Sequence, residues 1–550
     1  MKRVWSLFWQ KQTSVGSAAF VLMSMVFTSR VLGLVRDRLL AARFAPEELG
    51  VYFAAFRLPN LLFELLVMGV LTSAFIPVFT KYVMKDKEDV AWRMASTLIN
   101  IIFIALLLFS LPILIWTRPI SQFLAPGFTS AQIDQMASFT RLMVFFQVIP
   151  LMIGNFFTGI LQSYNIFFLP AAAPVVYNLG IIASIIGLTS TLGLYAPVVG
   201  VGVGALLFML IQIPPLLMVG YRHRLTWDPH YPGVAEVGKL MAPRTLGLAI
   251  SQVDTTVDLM LATLLGSRMV TIFNFAQHLQ QLPIGLFGAT IAQAALPTLS
   301  VAAASENREQ FKSSILSAIH QVLFFVLPAS ALFIVLRIPV VRLVFGSSRF
   351  DWDATVLTGA SLSAFSISLF AQALIHVLAR GFYALYDSKT PVIIGVIAIF
   401  INTVLSIGFI TVWHLPVWSL GLSTSVASIV NAGLLFVFLD RRVHRFPRRS
   451  LLVPPIKMLI AATTTGLILY VGLKLLDQLV FDTTRTFNLM LLTGITGTLG
   501  LGTYFFLSWV FGVGEVQSFL KLIHKVRGAR QILLEPAGEV VDGGIGDKLS

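Results

Sequence analysis

The sequence contains no cysteine and little charge. Only 12% of its 550 residues are Asp, Glu, Lys or Arg, whereas 57% are hydrophobic. Without cysteine, the chain has neither a disulfide framework nor a thiolate metal site. A soluble domain carries roughly a quarter charged residues, so this chain has too few to cover a surface that faces water. Lipid is therefore expected to be its main solvent.

The sequence also lacks the patterns of nucleotide-driven and catalytic proteins. It has no Gly-x-x-x-x-Gly-Lys loop, the phosphate-binding signature of many ATPases. His278, His320 and His376 are scattered, with no His-x-x-x-His pair and no serine elbow beside them. We therefore predict a protein that is not an enzyme and holds no cofactor. An ion gradient, the membrane potential or a partner must then drive any uphill step.

Long apolar runs, in contrast, recur along the whole chain. A helix needs about 20 apolar residues to cross the hydrocarbon of a bilayer. Unbroken runs such as Ile99–Trp116 differ from the alternating strands of a membrane β-barrel. The pattern predicts an all-α polytopic membrane protein with about fourteen transmembrane helices. The predicted spans are 15–44, 52–80, 94–117, 138–160, 171–189, 197–220, 240–264, 272–300, 315–336, 356–379, 391–413, 417–439, 455–476 and 487–511.

The basic residues indicate how these spans are oriented. Lys and Arg are retained on the cytoplasmic side of short loops, and most of the 39 Lys and Arg fall in the termini and the even-numbered loops. Both termini are therefore predicted to be cytoplasmic. The strongest basic cluster, between spans 12 and 13, is expected to contact anionic membrane lipid, and nucleic acid is not an expected partner there. It comprises Arg441, Arg442, Arg445, Arg448, Arg449 and Lys457.

Two further segments follow the last predicted span. Val516–Ile532 has apolar residues on one helical face and basic residues elsewhere, which predicts a helix on the cytoplasmic membrane surface. Glu535–Ser550 is rich in glycine and acidic residues and is predicted to be disordered.

The first predicted span carries charges that are expensive to bury. A charged side chain at mid-bilayer costs about 2.5–3.5 kcal/mol on insertion scales, so a retained charge indicates function. Arg30 and Arg36 lie about 9 Å apart along the helix axis, which favours a water-filled cationic cavity. The planar guanidinium group of an arginine can bind two phosphate oxygens at once, so a diphosphate head group is the expected ligand. The alternative is that Arg36, Asp37 and Arg38 pair at the outer interface and close the helix.

The seventh predicted span carries Asp254 and Asp258, four residues apart and so on one helix face. Two such charges repel, so we expect one to be protonated, paired with an arginine, or bound to a cation. Na⁺ or H⁺ coupling is one hypothesis, and a structural pair with an arginine is the other. Spans 11 and 12 offer further oxygens, although such residues also bond neighbouring helices. These residues are Asn402, Thr403, Ser406, Ser423, Thr424 and Ser425.

The second predicted span contains another acid, Glu64, for which Arg57 and Arg30 are the candidate partners. Prolines interrupt several spans and permit bending, which a carrier exploits. They are Pro59, Pro150, Pro283 and Pro328.

Sequence boxes along the chain resemble the MviN/MurJ family of lipid II flippases. The segments Ser29–Asp37, Ala55–Leu62 and Ser73–Phe79 look like the opening signatures of that family, in order. The resemblance covers roughly residues 15–510. Further similar boxes are Ala125–Phe128, Asn165–Asn178, Leu296–Ser300, Gly381–Ala384 and Asp387–Val392.

The resemblance implies a fold of the multidrug/oligosaccharidyl-lipid/polysaccharide exporter superfamily, with two six-helix lobes and a C-terminal helix pair. It also implies alternating access, in which lipid II, an undecaprenyl-diphosphate-linked peptidoglycan precursor, moves from the inner to the outer leaflet of the bacterial cytoplasmic membrane. Cell-wall synthesis proteins are further expected partners. The implied divisions are the cytoplasmic N-terminus 1–14, N-lobe 15–220, cytoplasmic linker 221–239, C-lobe 240–439, basic loop 440–454, spans 13 and 14 at 455–511, and the amphipathic segment and tail at 512–550.

The resemblance also assigns candidate sites. Arg30 and Arg36 match arginines that line the family's cavity, and Asp258 with Asn402 falls at a cation site of some members. The predicted head-group site comprises Arg30, Arg36, Asp37, Arg57, Asn60, Glu64 and His278. The predicted cation site comprises Asp258, Asn402, Ser406 and Thr424.

Several charged positions of the family are missing. A family acid falls near Gly50, a basic run is replaced by Phe63–Gly69, and the usual Ala-Asp-Arg-Leu of span 8 reads Ala276–Leu279, with Gln277 and His278 at its centre. These departures leave two alternatives to lipid II flipping. One is export of another polyprenyl-linked glycan or an amphiphile, and the other is a transport-inactive scaffold for cell-wall synthesis.

Overall fold

The computed structural model describes residues 15–68, 74–85, 87–479 and 486–517. Regular structure in these residues is helical, without any strand. This confirms the predicted all-α fold. The predicted N-terminus 1–14 and most of the segment predicted at 512–550 lie outside the described residues.

The N-lobe is the set of helices from α1 to α11. Two of them, α6 and α11, are short helices at the ends of longer ones. The bounds are α1 Val15–Arg43, α2 Pro46–Ala55, α3 Arg57–Phe63, α4 Ile76–Val83, α5 Glu88–Ile115, α6 Thr117–Leu124, α7 Ser130–Met143, α8 Ile149–Ser163, α9 Phe168–Leu192, α10 Tyr195–Leu210 and α11 Ile213–Met218.

The C-lobe is the set from α12 to α20, and a C-terminal pair, α21 and α22, follows it. Both helices of the pair pack against the C-lobe, α21 against α15 and α22 against α15 and α16. The bounds are α12 Val234–Leu264, α13 Ser267–Pro283, α14 Thr290–Ala304, α15 Arg308–Val335, α16 Arg337–Phe345, α17 Trp352–Ser366, α18 Leu369–Ala384, α19 Lys389–Ile407, α20 Trp418–Arg442, α21 Arg448–Leu479 and α22 Thr486–Val510.

Eleven helical segments of the described chain are long and apolar enough to cross a membrane. The helices α17 and α18 meet at a bend of 43° and make a twelfth if they form one span. The first and seventh predicted spans correspond to α1 and α12, which are 29 and 31 residues long but are not among these segments. The count of fourteen therefore stays a prediction.

The bend between α17 and α18 lies inside the predicted span 356–379. Its position coincides with two serines whose hydroxyls bond to the backbone: Ser366 Oγ donates to Leu362 O at 2.6 Å and Ser368 Oγ to Phe365 O at 3.3 Å. Such bonds compete with the helical ladder and bend helices. An apolar pattern alone does not reveal this break.

π-helical turns widen the long helices at Glu64–Met68, Val144–Val148, Ile284–Ala289 and Gly408–Val412. Two of them adjoin predicted proline breaks. Pro150 lies in the first turn of the helix that follows the second π-helical turn, and Pro283 directly precedes the third. In contrast, α15 continues through Pro328. π-helical turns are frequent at functional sites, and the first and third of these adjoin the cavity described below.

The buried apolar side chains form three clusters. One is centred in the N-lobe around Phe79 and Phe156 and includes Val234 and Val237 at the start of α12. Another joins the C-lobe to the C-terminal pair around Phe324 and Tyr504. The third is shared by the two lobes, because it contains residues of α1, α2, α7 and α9 together with residues of α13, α16 and α17. The lobes are thus held together by one shared core.

The lobes approach most closely where α2 meets α13 and where the loop between α6 and α7 meets the end of α12. We call this region the sealed end. A Cβ at Gly50 would lie 1.8 Å from Ser267 O, and a Cβ at Gly127 would lie 2.0 Å from Thr263 O. Both distances are far below any real Cβ contact, so only glycine permits this approach. The two backbones therefore touch directly at these points.

Polar contacts reinforce the sealed end. Thr271 Oγ1 donates to Pro46 O at 2.6 Å, and Arg268 joins Glu47 of the N-lobe at 3.0 Å. The Arg268 guanidinium also bonds to Asp351, and this hydrogen bond lowers the pKa of the Asp351 carboxyl. A network of this kind contributes more than an isolated exposed ion pair.

The predicted linker 221–239 differs in part from the structure, because α12 begins at Val234. The preceding residues run along α5 of the N-lobe. Asn100 Nδ2 donates to Arg224 O at 3.1 Å and to Thr226 O at 3.0 Å, and the hydroxyls of Thr97 and Thr226 lie 2.8 Å apart. The linker is thus attached to the N-lobe by its backbone.

Candidate functional site

Two adjoining cavities lie between the lobes. The central cavity has a volume of about 360 Å³ and the side cavity about 240 Å³. Arg36, His278 and Gln281 line both, so the cavities share a wall. The central cavity is lined by Arg36, Tyr52, Phe53, Phe56, Arg57, Asn60, Gln147, Tyr177, Thr255, Leu259, Phe273, Asn274, Gln277, His278 and Gln281. The side cavity is lined by Ser29, Arg30, Gly33, Leu34, Arg36, Asp37, Asn178, His278, Gln281 and Leu282.

Asp37 joins the lobes at this shared wall. Its Oδ1 accepts from Arg36 Nη2 at 2.8 Å, and its Oδ2 lies 2.8 Å from His278 Nδ1 on α13. Asp37 is only 1% exposed, so both of its oxygens are committed to partners within the protein. The carboxylate therefore orients one cationic and one titratable side chain at once.

The Arg36 guanidinium is held from a second side by Asn178 of α9. Arg36 Nη1 donates to Asn178 Oδ1 at 3.2 Å, while Asn178 Nδ2 donates to Ser29 Oγ at 3.2 Å. The Arg36 side chain remains 22% exposed. It is thus fixed in direction but still accessible from the cavities, which is the arrangement that anion binding requires.

Arg30 lies further along α1, in the lining of the side cavity. Its side chain is exposed, and a Cβ at Gly285 would lie 3.7 Å from Arg30 Nη2. Within the described part of the chain, Arg30 forms no ion pair. Arg30 and Arg36 therefore face connected spaces, whereas Arg38 points elsewhere and donates to the backbone oxygen of Val344.

Arg57 is the third arginine at the cavities. It is buried in the wall of the central cavity, where Arg57 Nε donates to Thr256 Oγ1 at 2.9 Å and its Nη2 donates to Gln252 O. These bonds attach α3 of the N-lobe to α12 of the C-lobe. Asn60, one turn on, is exposed to the same cavity. Glu64 lines neither cavity and forms no ion pair within the described residues.

A second polar cluster lies between α12 and α19. Asn402 Nδ2 donates to Asp254 Oδ1 at 2.9 Å and approaches both oxygens of Asp258 at 3.4 Å. Ser406 Oγ lies 3.4 Å from Asp258 Oδ1 and 2.6 Å from Ser423 Oγ. Neither acid pairs with an arginine in the part of the chain described. The predicted acids and their span-11 partners are therefore brought together.

Thr424 does not belong to this cluster. Its Oγ1 donates to Leu420 O at 2.9 Å, one turn back on its own helix. The neighbouring Ser423 contacts Ser406 of the cluster instead. Successive residues of an α-helix point about 100° apart, so a shift of one position changes which hydroxyl faces the acids.

The cluster suits a monovalent cation or a proton better than a multivalent metal. No group of three His, Cys, Asp or Glu residues that could hold a metal ion occurs in the described ranges. The available ligands are two carboxylates, an amide and hydroxyls, all hard oxygens. Asn402 turns its Nδ2 toward the two carboxylates, while its buried Oδ1 has no hydrogen-bond partner among the described residues.

Several cavity residues were not predicted from the sequence. Asn178, Gln147 and the neutral residues of α13 have no charge to mark them within apolar spans. The α13 residues did leave a weak signal, since Asn274, Gln277 and Gln281 recur at helical spacing on one face.

Two lobes of membrane-length helices around a polar cavity define this protein as a membrane transporter. The fold is shared with solved transporters. A structure described as "Lipid II flippase MurJ, inward closed conformation" superposes with a TM-score of 0.74, at 22% identity, over 90% of this chain and 98% of the other. An inward-facing multidrug resistance MATE family transporter of the MOP superfamily gives a TM-score of 0.63, at 15% identity, over 78% and 98%.

Sequence comparison identifies the family. The pattern described as "Lipid II flippase MurJ" matches residues 44–489, so this chain belongs to the MurJ family. The Lipid II flippase MurJ of Burkholderia cenocepacia is 28% identical over 77% of this chain and 84% of that protein. The probable lipid II flippase MurJ of Bdellovibrio bacteriovorus is 27% identical over 92% and 97%.

Proposed function

We propose that this chain moves lipid II from the inner to the outer leaflet of the bacterial cytoplasmic membrane by alternating access. The observation that carries the proposal is the convergence of Arg36 and Arg57 on the central cavity, with Arg30 in the adjoining side cavity. The relatives named as lipid II flippases support the choice of cargo.

The arginines supply what a diphosphate head group needs. Each guanidinium presents parallel N–H donors that match phosphate oxygens, and the low dielectric of the site strengthens the interaction. Arg36 is pre-oriented by Asp37 and Asn178, so little side-chain entropy is lost on binding. The prenyl chain remains in lipid beside α1, where Phe27 and Val31 are exposed near Arg30.

The distribution of basic residues supports a direction of opening. With both termini on the cytoplasmic side, the end of α1 and the start of α2 lie on the outer side of the membrane. The sealed end then closes the cavity from outside, and the head group reaches Arg36 from the cytoplasm. Release requires the Gly50 and Gly127 contacts to separate, and the π-helical turns beside the cavity provide the bending.

A cation held by the α12 cluster is proposed to couple an ion gradient to this motion, with Na⁺ or H⁺ as the ion. Asp254, Asp258 and Asn402 are the residues that would hold it. The same stretch of α12 supplies Gln252 O and Thr256 Oγ1 to Arg57. Neutralising the acids therefore changes a helix that directly holds a cavity arginine.

The cargo is tested in cells depleted of their own flippase and supplied with this chain. We expect lipid II at the outer leaflet, measured by its accessibility to an external enzyme, to be restored. Arg36→Gln is expected to reduce that signal at least about tenfold, since a charge-assisted hydrogen bond contributes about 1.5–3 kcal/mol. Arg38→Gln, two positions along α1 but outside both cavities, is the matched control.

Two results would point to the alternatives. If lipid II stays inside while another polyprenyl-linked glycan or amphiphile appears outside, the protein exports a different cargo. If the chain reaches the membrane at normal levels but neither restores growth nor brings lipid II or another cargo to the outside, the protein acts as a transport-inactive scaffold.

Coupling is tested in reconstituted vesicles under an imposed Na⁺ or H⁺ gradient. Asp258→Asn is expected to abolish the stimulation of transport by the gradient and to leave the protein folded, because Asn402 and Ser406 can bond to the new amide. Asp477→Asn, in the C-terminal pair, serves as control. Stimulation that survives in Asp258→Asn would remove the coupling proposal and leave the cargo untouched.

A further inference from the structure

Another cavity lies at the seam between the C-lobe and the C-terminal pair. This seam cavity has a volume of about 320 Å³, and ligand sites typically enclose about 300–1,000 Å³. The end of α16, the loop that follows it and the start of α22 line the seam cavity. None of its lining residues lines the central or the side cavity. The seam cavity is therefore separate from the proposed transport site.

Arg342 is the cation of the seam cavity. Its guanidinium lies over the ring of Trp352, with 5.4 Å between Cζ and the ring centroid. Within the described ranges this guanidinium forms no ion pair and donates no hydrogen bond, and the side chain is partly exposed. A guanidinium held against an aromatic face keeps its N–H donors available. Arg342 is thus oriented but not neutralised, which suits a phosphate ligand.

Asp351 brings the opposite charge into the same cavity. Its Oδ1 accepts from Arg268 Nη2 at 2.5 Å and from Ala354 N at 2.8 Å, whereas its Oδ2 has no hydrogen-bond partner among the described residues. Arg268 is also shared with Glu47 and Asp353, so its single charge does not balance the three acids. A cation beside Asp351 is therefore favoured, whereas a purely anionic ligand is opposed there.

The walls of the seam cavity continue as apolar helix faces. Val356 follows Trp352 at a spacing of four on α17, and Met490 follows Thr486 in the same way on α22, so each pair shares a helix face. Trp352, Val356 and Met490 are all exposed, and α22 is long and apolar enough to cross a membrane. In the orientation proposed above, both helices run inward from the outer surface. Tryptophan is enriched at the level of lipid head groups, so the seam cavity is expected at that level.

We propose that the seam cavity binds a phospholipid whose head group carries both a phosphate and a primary amine, as phosphatidylethanolamine does. The phosphate bonds to Arg342, the ammonium group donates to Asp351 Oδ2, and the acyl chains lie along the apolar faces of α17 and α22. The inference is carried by an unpaired arginine and an incompletely neutralised carboxylate that line one cavity. It does not depend on which cargo the protein moves.

The test measures the binding of single lipids to the full-length protein in detergent by native mass spectrometry. The probes are phosphatidylethanolamine, phosphatidylglycerol and phosphatidylcholine with identical acyl chains. The second lipid lacks the amine, and the third has a quaternary ammonium group that cannot donate a hydrogen bond. We expect the unchanged protein to bind the ethanolamine lipid at least about twofold more tightly than either of the others.

Replacing the arginine tests the phosphate contact. Arg342→Gln is expected to weaken binding of all three lipids by about tenfold, because each loses a charge-assisted hydrogen bond. Arg337→Gln, on the same helix but outside the seam cavity, is the matched control. Arg342→Lys keeps the charge without the planar stack on Trp352 and should restore part of the binding.

Replacing the carboxylate tests the amine contact. Asp351→Asn is expected to weaken only the ethanolamine lipid, by about two- to fivefold, and its amide oxygen can still accept from Arg268 and Ala354. Asp353→Asn is the matched control, since Asp353 also bonds to Arg268 but does not line the seam cavity. Equal losses in the two variants would trace the effect to the Arg268 network and overturn the inference.

A soluble head group distinguishes a lipid site from a site for a free solute. Glycerophosphoethanolamine carries the same charges without acyl chains, so it should compete at least about a hundredfold less strongly than the lipid. Competition as strong as that of the lipid would assign the seam cavity to a soluble phosphate compound and overturn the inference. Equal binding of the three lipids by the unchanged protein, or an Arg342→Gln protein that binds like Arg337→Gln, would overturn it as well.

Discussion

Replacing Gly50 with alanine is expected to open the sealed end. The added Cβ would lie 1.8 Å from Ser267 O, whereas real Cβ contacts essentially never fall below 3.0 Å. The two backbones must therefore separate by more than about 1 Å, and overpacking of this kind costs about 1–3 kcal/mol in the closed state. Such a difference shifts the balance between closed and open states roughly 5- to 150-fold toward the open state.

The absence of cysteine makes this opening measurable. Thr255 lines the central cavity, and Thr255→Cys introduces the single thiol of the protein. A membrane-impermeant maleimide added outside the cell should label this thiol slowly in the Thr255→Cys protein and faster when Gly50→Ala is added. The second glycine of the sealed end, Gly127, should give the same result when replaced by alanine.

A matched glycine controls for the general effect of alanine in a helix. Gly187→Ala, on α9, places its Cβ where no heavy atom lies within 4 Å, so labelling at Thr255→Cys should not change. Equal labelling of the Gly50→Ala and Gly187→Ala proteins, both well folded, would refute the assignment of the sealed end as the outer gate. Faster labelling from the cytoplasmic side alone would refute the proposed orientation.

Two other predictions concern the arginines of the cavity and of the sealed end. Asn178→Leu removes one of the two supports of Arg36 and is expected to lower transport by about two- to tenfold at unchanged expression; undiminished transport would show that Asp37 suffices. The sealed end should be insensitive to mild acid. Arg268 lowers the pKa of Asp351, so the stabilising ion pair between them is lost only as the pH falls through that lowered value. Thr255→Cys labelling should therefore be equal at about pH 7 and about pH 5, and faster labelling at the lower pH would contradict this.

The sequence predicted the fold class and many residues that line the candidate site, because both rest on strong signals. Apolar runs of membrane length are hard to confuse with anything else, and charges inside such runs are costly enough to mark function. Arg30, Arg36 and the span-7 acids were found in this way. Contacts between residues far apart in the chain could not be predicted in this way. Asp37 and His278, for example, are separated by 241 residues.

The rotation of each helix was the main feature that sequence could not supply. In a soluble helix one apolar face indicates which side is buried, but a membrane helix is apolar all round. Thr424 and Ser423 therefore looked equivalent until the structure placed only Ser423 beside the acid cluster. Asn178 was invisible for the same reason, because nothing in its span indicates that it faces Arg36.

The carboxylate of Asp37 is a built-in counter-ion for the Arg36 guanidinium. If the proposed function holds, an arriving phosphate meets a cation whose charge is already partly neutralised, so it is attracted less strongly than by an unpaired arginine. A carrier with such a paired arginine is expected to release a doubly charged cargo more readily in each cycle.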